Sequence, residues 1–279
     1  MKKLIILTIT ISWTVSIFAQ KKTSSSYIEK SYELLDKEDY NGALGTLNFA
    51  INEMPDSINL FAARGVLLEA FKEFKEAIKD FTVAIDGTDD PKYKAHLLSN
   101  RGGSKFSARD FVGGYNDLIE AVNLVSTNID ILNNLAVVCN EMDKQEENIM
   151  YLNRIIEIDP KYMPAYVNLG FKYQGLNQHK VALKYLDKAI KLSPDGPLGY
   201  SNRSFSRLKI NDLKGTKKDI NKSLKIFPGN SYAYKIRALI FIAENNIEEA
   251  CADLDYALRL EYTKQYGAEV QELKDEHCK

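Results

Sequence analysis

The sequence predicts an all-α protein, a solenoid of about seven stacked helix pairs closed by a C-terminal capping helix. Three observations carry this expectation. Pro160, Pro194 and Pro228 recur every 34 residues, and Tyr166, Tyr200 and Tyr234 keep the same step. Ala182, Thr216 and Ala250 form a small-residue column in that register. Each period also holds two apolar stretches of helical spacing around a polar turn such as QGLNQHK or AENNIEE. One helix pair cannot bury its apolar face alone, so the pairs must stack.

The first residues stand apart from this pattern. MKK supplies a positive start and LIILTITISWTVSIF (4–18) an apolar run of fifteen residues, followed by AQKK. This reads as a signal peptide over residues 1–19 with cleavage after Ala19, and residues 20–23 form a short lead-in. The run is short for a permanent spanning helix, which needs ~20 apolar residues. No Cys lies near the cleavage point, which argues against a lipid anchor. The expected location is therefore the periplasm or the medium, with no membrane insertion once the signal is removed.

The repeat then fills residues 24–264. Its units begin near Ser24, Ile58, Ala95, Ile129, Met163, Pro197 and Ser231, and a three-residue insertion in DGTDDPKYK shifts the phase before the third. Tyr27, Ala43, Leu47, Ala50 and Pro55 place the first unit, and Phe61, Ala77, Phe81 and Ala84 the second. Leu98 and Arg101 place the third unit, Leu132 and Leu135 the fourth. Proline closes several units, because the second helix cannot run through it.

The unit AYVNLGFKYQGLNQHKVALKYLDKAIKLSP carries Tyr166, Leu169-Gly170, Tyr173, Ala182, Leu186, Ala189 and Pro194 in register. With its period of 34 it resembles the tetratricopeptide repeat family, and the resemblance covers nearly the whole chain after the signal. No unit has the family's Trp, Gly114 and Asn148 replace its small Ala, and the second, third and seventh units lack the Pro. The resemblance implies a right-handed solenoid and a protein- or peptide-binding adaptor. It also implies that first-helix positions near the sixth of each unit line a concave groove. A second reading is a structural subunit of an envelope assembly, binding through its convex face or its ends.

Two columns stand out within the units. The seventh place holds Arg64, Arg101, Arg203 and Arg237, and sixteen residues after each comes Asp80, Asp117, Asp219 or Asp253. Where the Arg is Leu135 or Leu169, the partner place holds Tyr151 or Tyr185. This covariation within one chain points to an Arg–Asp clasp across each helix hairpin, since a guanidinium can meet a carboxylate with two parallel hydrogen bonds. The sixth place holds Asn100, Asn134, Asn168 and Asn202. An amide offers a donor and an acceptor to a peptide unit, so along the implied groove these four are candidate contacts, with Phe171 and Phe205 as apolar companions at the ninth place. The same amides serve equally well to bond a neighbouring helix.

After the seventh unit, residues 265–279 read as one amphipathic capping helix with Tyr266, Val270 and Leu273 on one face. Cys251 occupies a column held elsewhere by Leu44, Ile78, Ile149 and Leu183, which should face the cap across a turn near 263–265. That geometry predicts a Cys251–Cys278 disulfide, the alternative being two free thiols. Cys139 falls on a core column.

Composition excludes several other classes. The 279 residues are 45% hydrophobic and 27% charged with net charge -1, and no long block of Lys or Arg stands out. That argues against a nucleic-acid surface. His96, His179 and His277 are far apart, no C-x-x-C, H-E-x-x-H or G-x-S-x-G occurs, and RGGSKF lacks the spacing of a phosphate loop. No enzyme, cofactor, metal or small-molecule ligand is expected.

Overall fold

The computed structural model describes residues 23–278, and the predicted signal peptide and most of the lead-in lie outside the described residues. Sixteen helices follow one another with no strand among the described residues. The fold is the expected all-α stack of helix pairs. The chain divides into two compact units, one ending at Gly87 and one beginning at Thr88.

The first unit holds α1 (Ser24–Asp36), α2 (Tyr40–Glu53), α3 (Ile58–Ala70) and α4 (Phe74–Asp86). Each helix packs on the next, and Ala43, Leu47, Ala50, Ile51, Leu60, Ala63 and Leu67 form a common core. The second unit holds five pairs: α5 (Pro91–Ser107) with α6 (Phe111–Leu124), α7 (Ile129–Glu141) with α8 (Gln145–Ile158), α9 (Met163–Gly175) with α10 (His179–Leu192), α11 (Pro197–Lys209) with α12 (Leu213–Ile226), and α13 (Ser231–Ala243) with α14 (Ile247–Arg259). Within it the second helix of each pair packs on the first helix of the next, which is how a solenoid shares one core among neighbours.

The turns inside the pairs repeat one backbone device. Glu38, Lys72, Arg109, Asp143, Asn177, Asn211 and Asn245 all have positive φ, between 54° and 69°. Around Glu38, its own N–H donates to Leu35 O and that of Asp39 to Leu34 O, the paired bonds that close a helix through one left-handed residue. None of these positions is glycine, although a left-handed backbone costs an ordinary L-residue about 1 kcal/mol or more. The asparagines tolerate it best, while Lys72 and Arg109 hold a strained conformation for the sake of a three-residue turn.

The insertion before the third unit lengthens a helix. α5 runs 17 residues where its counterparts run 13, so the third pair begins at Pro91 and not near Ala95. The reason is local: Asp90 accepts from the N–H of Lys92, and Pro91 occupies the first helical position, where its missing N–H is harmless. Opposite, Gly114 stands where the repeat pattern has Ala because α5 and α6 approach backbone to backbone. A Cβ there would lie 2.8 Å from the carbonyl oxygen of Gly102.

The C-terminal cap differs from the single helix expected over 265–279. A short α15 (Tyr262–Tyr266) comes first, so the expected boundary falls inside it. Gly267 then takes φ 88°, which breaks the helix, and α16 (Glu269–His277) follows. Tyr266 therefore does not share a helix with Val270 and Leu273. The residue that anchors the segment is Tyr262, 1% exposed in the core formed with Ile236, Leu254 and Val270. Cys251 and Cys278 are joined in a disulfide, their Cα atoms 5.7 Å apart, which ties the end of α16 to α14. Cys139 is buried and free, and burial pushes its thiol up to about 11.

Candidate functional site

The four Arg and four Asp of the seventh-place column meet in pairs, each across its own hairpin. Arg64 donates Nε and Nη2 to Asp80 at 2.7 and 2.8 Å, Arg101 to Asp117 at 2.8 and 2.8 Å. Arg203 does so to Asp219 at 2.8 and 2.7 Å, and Arg237 to Asp253 at 2.6 and 2.7 Å. The carboxylates are buried, and the hydrogen bonds that Arg64 and Arg237 donate to Asp80 and Asp253 hold each arginine above the ordinary guanidinium range. For Arg203, burial works the other way, yet the bonds to Asp219 and Asp187 outweigh it. Around the pairs lie further donors: Lys105 reaches Asp117 at 2.9 Å and Arg207 reaches Asp219 at 2.9 Å. The paired groups face one another across each hairpin and so join its two helices.

The sixth-place asparagines have four different settings. Asn100 is half-buried, its amide 3.5 Å from the ring of His96. Asn134 is exposed and donates to Ser99 Oγ across α7 and α5 at 3.2 Å. Asn168 is exposed and makes no hydrogen bond to any described residue. Asn202 departs from the expected row: it is buried, and its amide donates to Leu198 O one turn back in α11. Gln174 of α9 accounts for this, because its Nε2 donates to Asn202 O and to Ser206 Oγ, sealing that junction with side chains of the chain itself.

The two phenylalanines differ in the same way. Phe171 is 52% exposed. Phe205 is half-buried and packed, with the His179 ring 5.9 Å away, Tyr232 at 6.3 Å, and the Lys209 and Lys235 ammonium groups over its face at 5.4 and 5.3 Å. Lys235 is itself buried and donates to both oxygens of Glu269 at 2.7 and 2.8 Å, so the cap carboxylate closes this end of the first-helix face. Burial lowers both Lys235 and His179 from their usual ranges.

A cleft of about 290 Å³ in the smaller unit is lined by Leu44, Asn48, Arg64, Leu68 and Asp80, and three more adjoin α9 in the larger unit. One cleft of about 140 Å³ is lined by Val137, Asn140, Asn148, Asn168, Phe171 and Lys172, and an adjoining one of about 220 Å³ by Val167, Asn168, Phe171, Leu198, Asn202 and Tyr232. A third, about 200 Å³ and largely apolar, reaches from Met163 past Asn168 to Leu198. Asn168 borders all three. Asn148, standing where the repeat pattern has a small Ala, uses its amide nitrogen to bond Ala136 O at 2.7 Å and leaves Oδ1 buried without a hydrogen bond. Lys172 crosses to Asn140 Oδ1 at 3.3 Å. The arrangement offers amide donors and acceptors beside apolar walls, which suits a peptide unit with a side chain on either side. Asn140, Lys172 and Leu198 carry no mark in the sequence pattern. Asn148 carried a usable signal as a misfit in its column.

Among curated proteins none matches this sequence. A sequence model described as tetratricopeptide repeat matches residues 129–162 and 164–195, the pairs α7/α8 and α9/α10. Among solved structures, a tetratricopeptide repeat protein from Parabacteroides merdae is similar with TM-score 0.71 at 19% identity, over 90% of this chain and 98% of that one. The C-terminal part of a repeat-containing protein from Cytophaga hutchinsonii gives TM-score 0.65 at 16% identity, over 87% and 98%. YrrB, described as a TPR protein with an unusual peptide-binding site, gives 0.54 at 16%, over 67% and 95%. The chain thus contains tetratricopeptide repeats at residues 129–162 and 164–195, set in helix pairs that share the fold of solved proteins of that kind.

Proposed function

We propose that the protein is an exported adaptor that holds an extended segment of another protein along the first helices of its larger unit. The observation that carries this reading is Asn168: an exposed amide with no hydrogen bond to a described residue, bordering three adjoining clefts and one helical turn from the exposed ring of Phe171. Asn134 and Asn100 extend the same face toward α5, whereas the Asn202 amide bonds Leu198 O and Phe205 packs against Tyr232. Protein interaction is the general use of tetratricopeptide scaffolds, and the peptide-binding site described for YrrB supports it. Export rests on residues 1–19, and N-terminal sequencing of protein recovered from the cell envelope should begin at Gln20.

Capture of a partner from the envelope fraction, followed by affinity measurement with Asn168→Ala/Phe171→Ala, tests the groove. Losing one desolvated amide contact and one aromatic contact should weaken binding by roughly tenfold to a hundredfold. Unchanged affinity would sink the groove and favour a structural subunit that binds through its other face or its ends.

A further inference from the structure

The charge of this chain is nearly balanced overall but not along its length. Residues 172–225 hold thirteen Lys and Arg against four Asp and no Glu. Eight of those lysines fall into four pairs separated by one repeat: Lys180 with Lys214, Lys184 with Lys218, Lys188 with Lys222, and Lys191 with Lys225. Their spacing of 4, 4 and 3 residues puts each set on a single face of its helix, α10 or α12. The stripe spans roughly 16 Å of each helix. Both helices flank α11, and the two stripes occupy equivalent settings: Lys188 lies 6.0 Å from the Tyr166 ring centre and Lys222 lies 5.9 Å from that of Tyr200. All eight are exposed except Lys222, which is half-exposed. The grid ends on both sides, because the same places in α8 are Glu146, Met150, Arg154 and Glu157 and in α14 are Glu248, Ala252, Tyr256 and Arg259.

Intramolecular chemistry does not account for the grid. Three of the four acidic residues are turned elsewhere: Asp187 and Asp219 to Arg203, Asp212 to the N–H of Gly215. Only Asp195 approaches a stripe lysine, Lys222, at 3.9 Å. Helix stability does not require it either. Lys180 and Lys214 lie in the first turns of α10 and α12, where the helix dipole opposes a positive charge.

We propose that this second-helix face docks the protein peripherally on an anionic lipid surface. None of the clefts that adjoin Asn168 is lined by a lysine of the grid. A repeated array of ammonium groups on the exposed faces of the two helices that flank α11 complements a plane of repeated single negative charges. The face is separate from Asn168 and Phe171, and the inference stands independently of the groove.

Full-length protein, recovered as the expressing cells process it, is sedimented with vesicles of phosphatidylcholine alone or mixed with phosphatidylglycerol. The excess on the mixed vesicles should vanish at high salt. It should fall roughly a hundredfold or more when Lys180, Lys184, Lys214 and Lys218 are all changed to Gln, given about a kcal/mol, or fivefold, per lysine. The corresponding Lys→Arg quartet should retain it, which separates charge from misfolding. Changing Lys30, Lys37, Lys75 and Lys79 to Gln should leave it nearly intact. Equal sedimentation with the two vesicle types overturns the proposal, as does an equal loss in the second quartet. Retention of the stripe on heparin without excess on anionic vesicles also overturns it, in favour of a soluble polyanion.

Discussion

Two kinds of hairpin build the larger unit, and they reach the same geometry by opposite chemistry. In α5/α6, α11/α12 and α13/α14 a bidentate Arg–Asp pair joins the helices. In α7/α8 and α9/α10 the same places hold Leu135 with Tyr151 and Leu169 with Tyr185, the leucines fully buried and Tyr185 stacked on Tyr173 with ring centres 5.4 Å apart. The two apolar hairpins are the ones that match the tetratricopeptide repeat, and the open clefts gather around them. The ionic hairpins spend their polar groups inside the fold. The difference shows that the repeat constrains the spacing of two facing side chains more tightly than it constrains their polarity.

The largest effect should come from breaking one ionic pair cleanly. Arg237→Leu strands Asp253, 6% exposed and with no other cation in salt-bridge reach among the described residues, and should lower unfolding free energy by about 3–5 kcal/mol in a denaturant titration. Adding Asp253→Tyr converts the hairpin to the apolar kind and should recover most of that loss. Equal stability of single and double variants would remove the distinction drawn here. A smaller loss, about 1–2 kcal/mol, is expected for Arg101→Leu, because Lys105 remains 2.9 Å from Asp117. If the two arginine variants unfold together, the neighbouring lysine does not compensate. The smallest change concerns the turn that both kinds of hairpin share. Arg109→Gly relieves a left-handed residue and should gain about 0.5–1 kcal/mol, whereas Asn177→Gly should gain little, as measured by thermal melting.

The fold was legible because its period was. Stacking repeats a contact every 34 residues, and a contact repeated at one spacing leaves columns such as Tyr166, Tyr200 and Tyr234. The polar places were legible only as alternatives. Asn134, Asn168 and Asn202 are identical residues at identical places, yet one bonds Ser99, one bonds no described residue and one is buried under Gln174. What separates them is the neighbour on the next helix, which a column read down the sequence does not contain. The lysine grid lies outside the columns that set the register, for a related reason: its members are scattered among other residues of α10 and α12, and they share a surface only because both helices flank α11.

By itself the sequence determined the all-α class, the register of the pairs and which arginine faces which aspartate, because each follows from spacing along one chain. The tertiary structure decided the rest: the longer α5, the break at Gly267, the burial of Asn202, the packing of Phe205 against Tyr232, and the clefts that meet at Asn168. These depend on how much room one helix leaves beside another. That room is set by side chains distant in sequence, such as Gln174, Tyr232 and Glu269, whose reach no local pattern records.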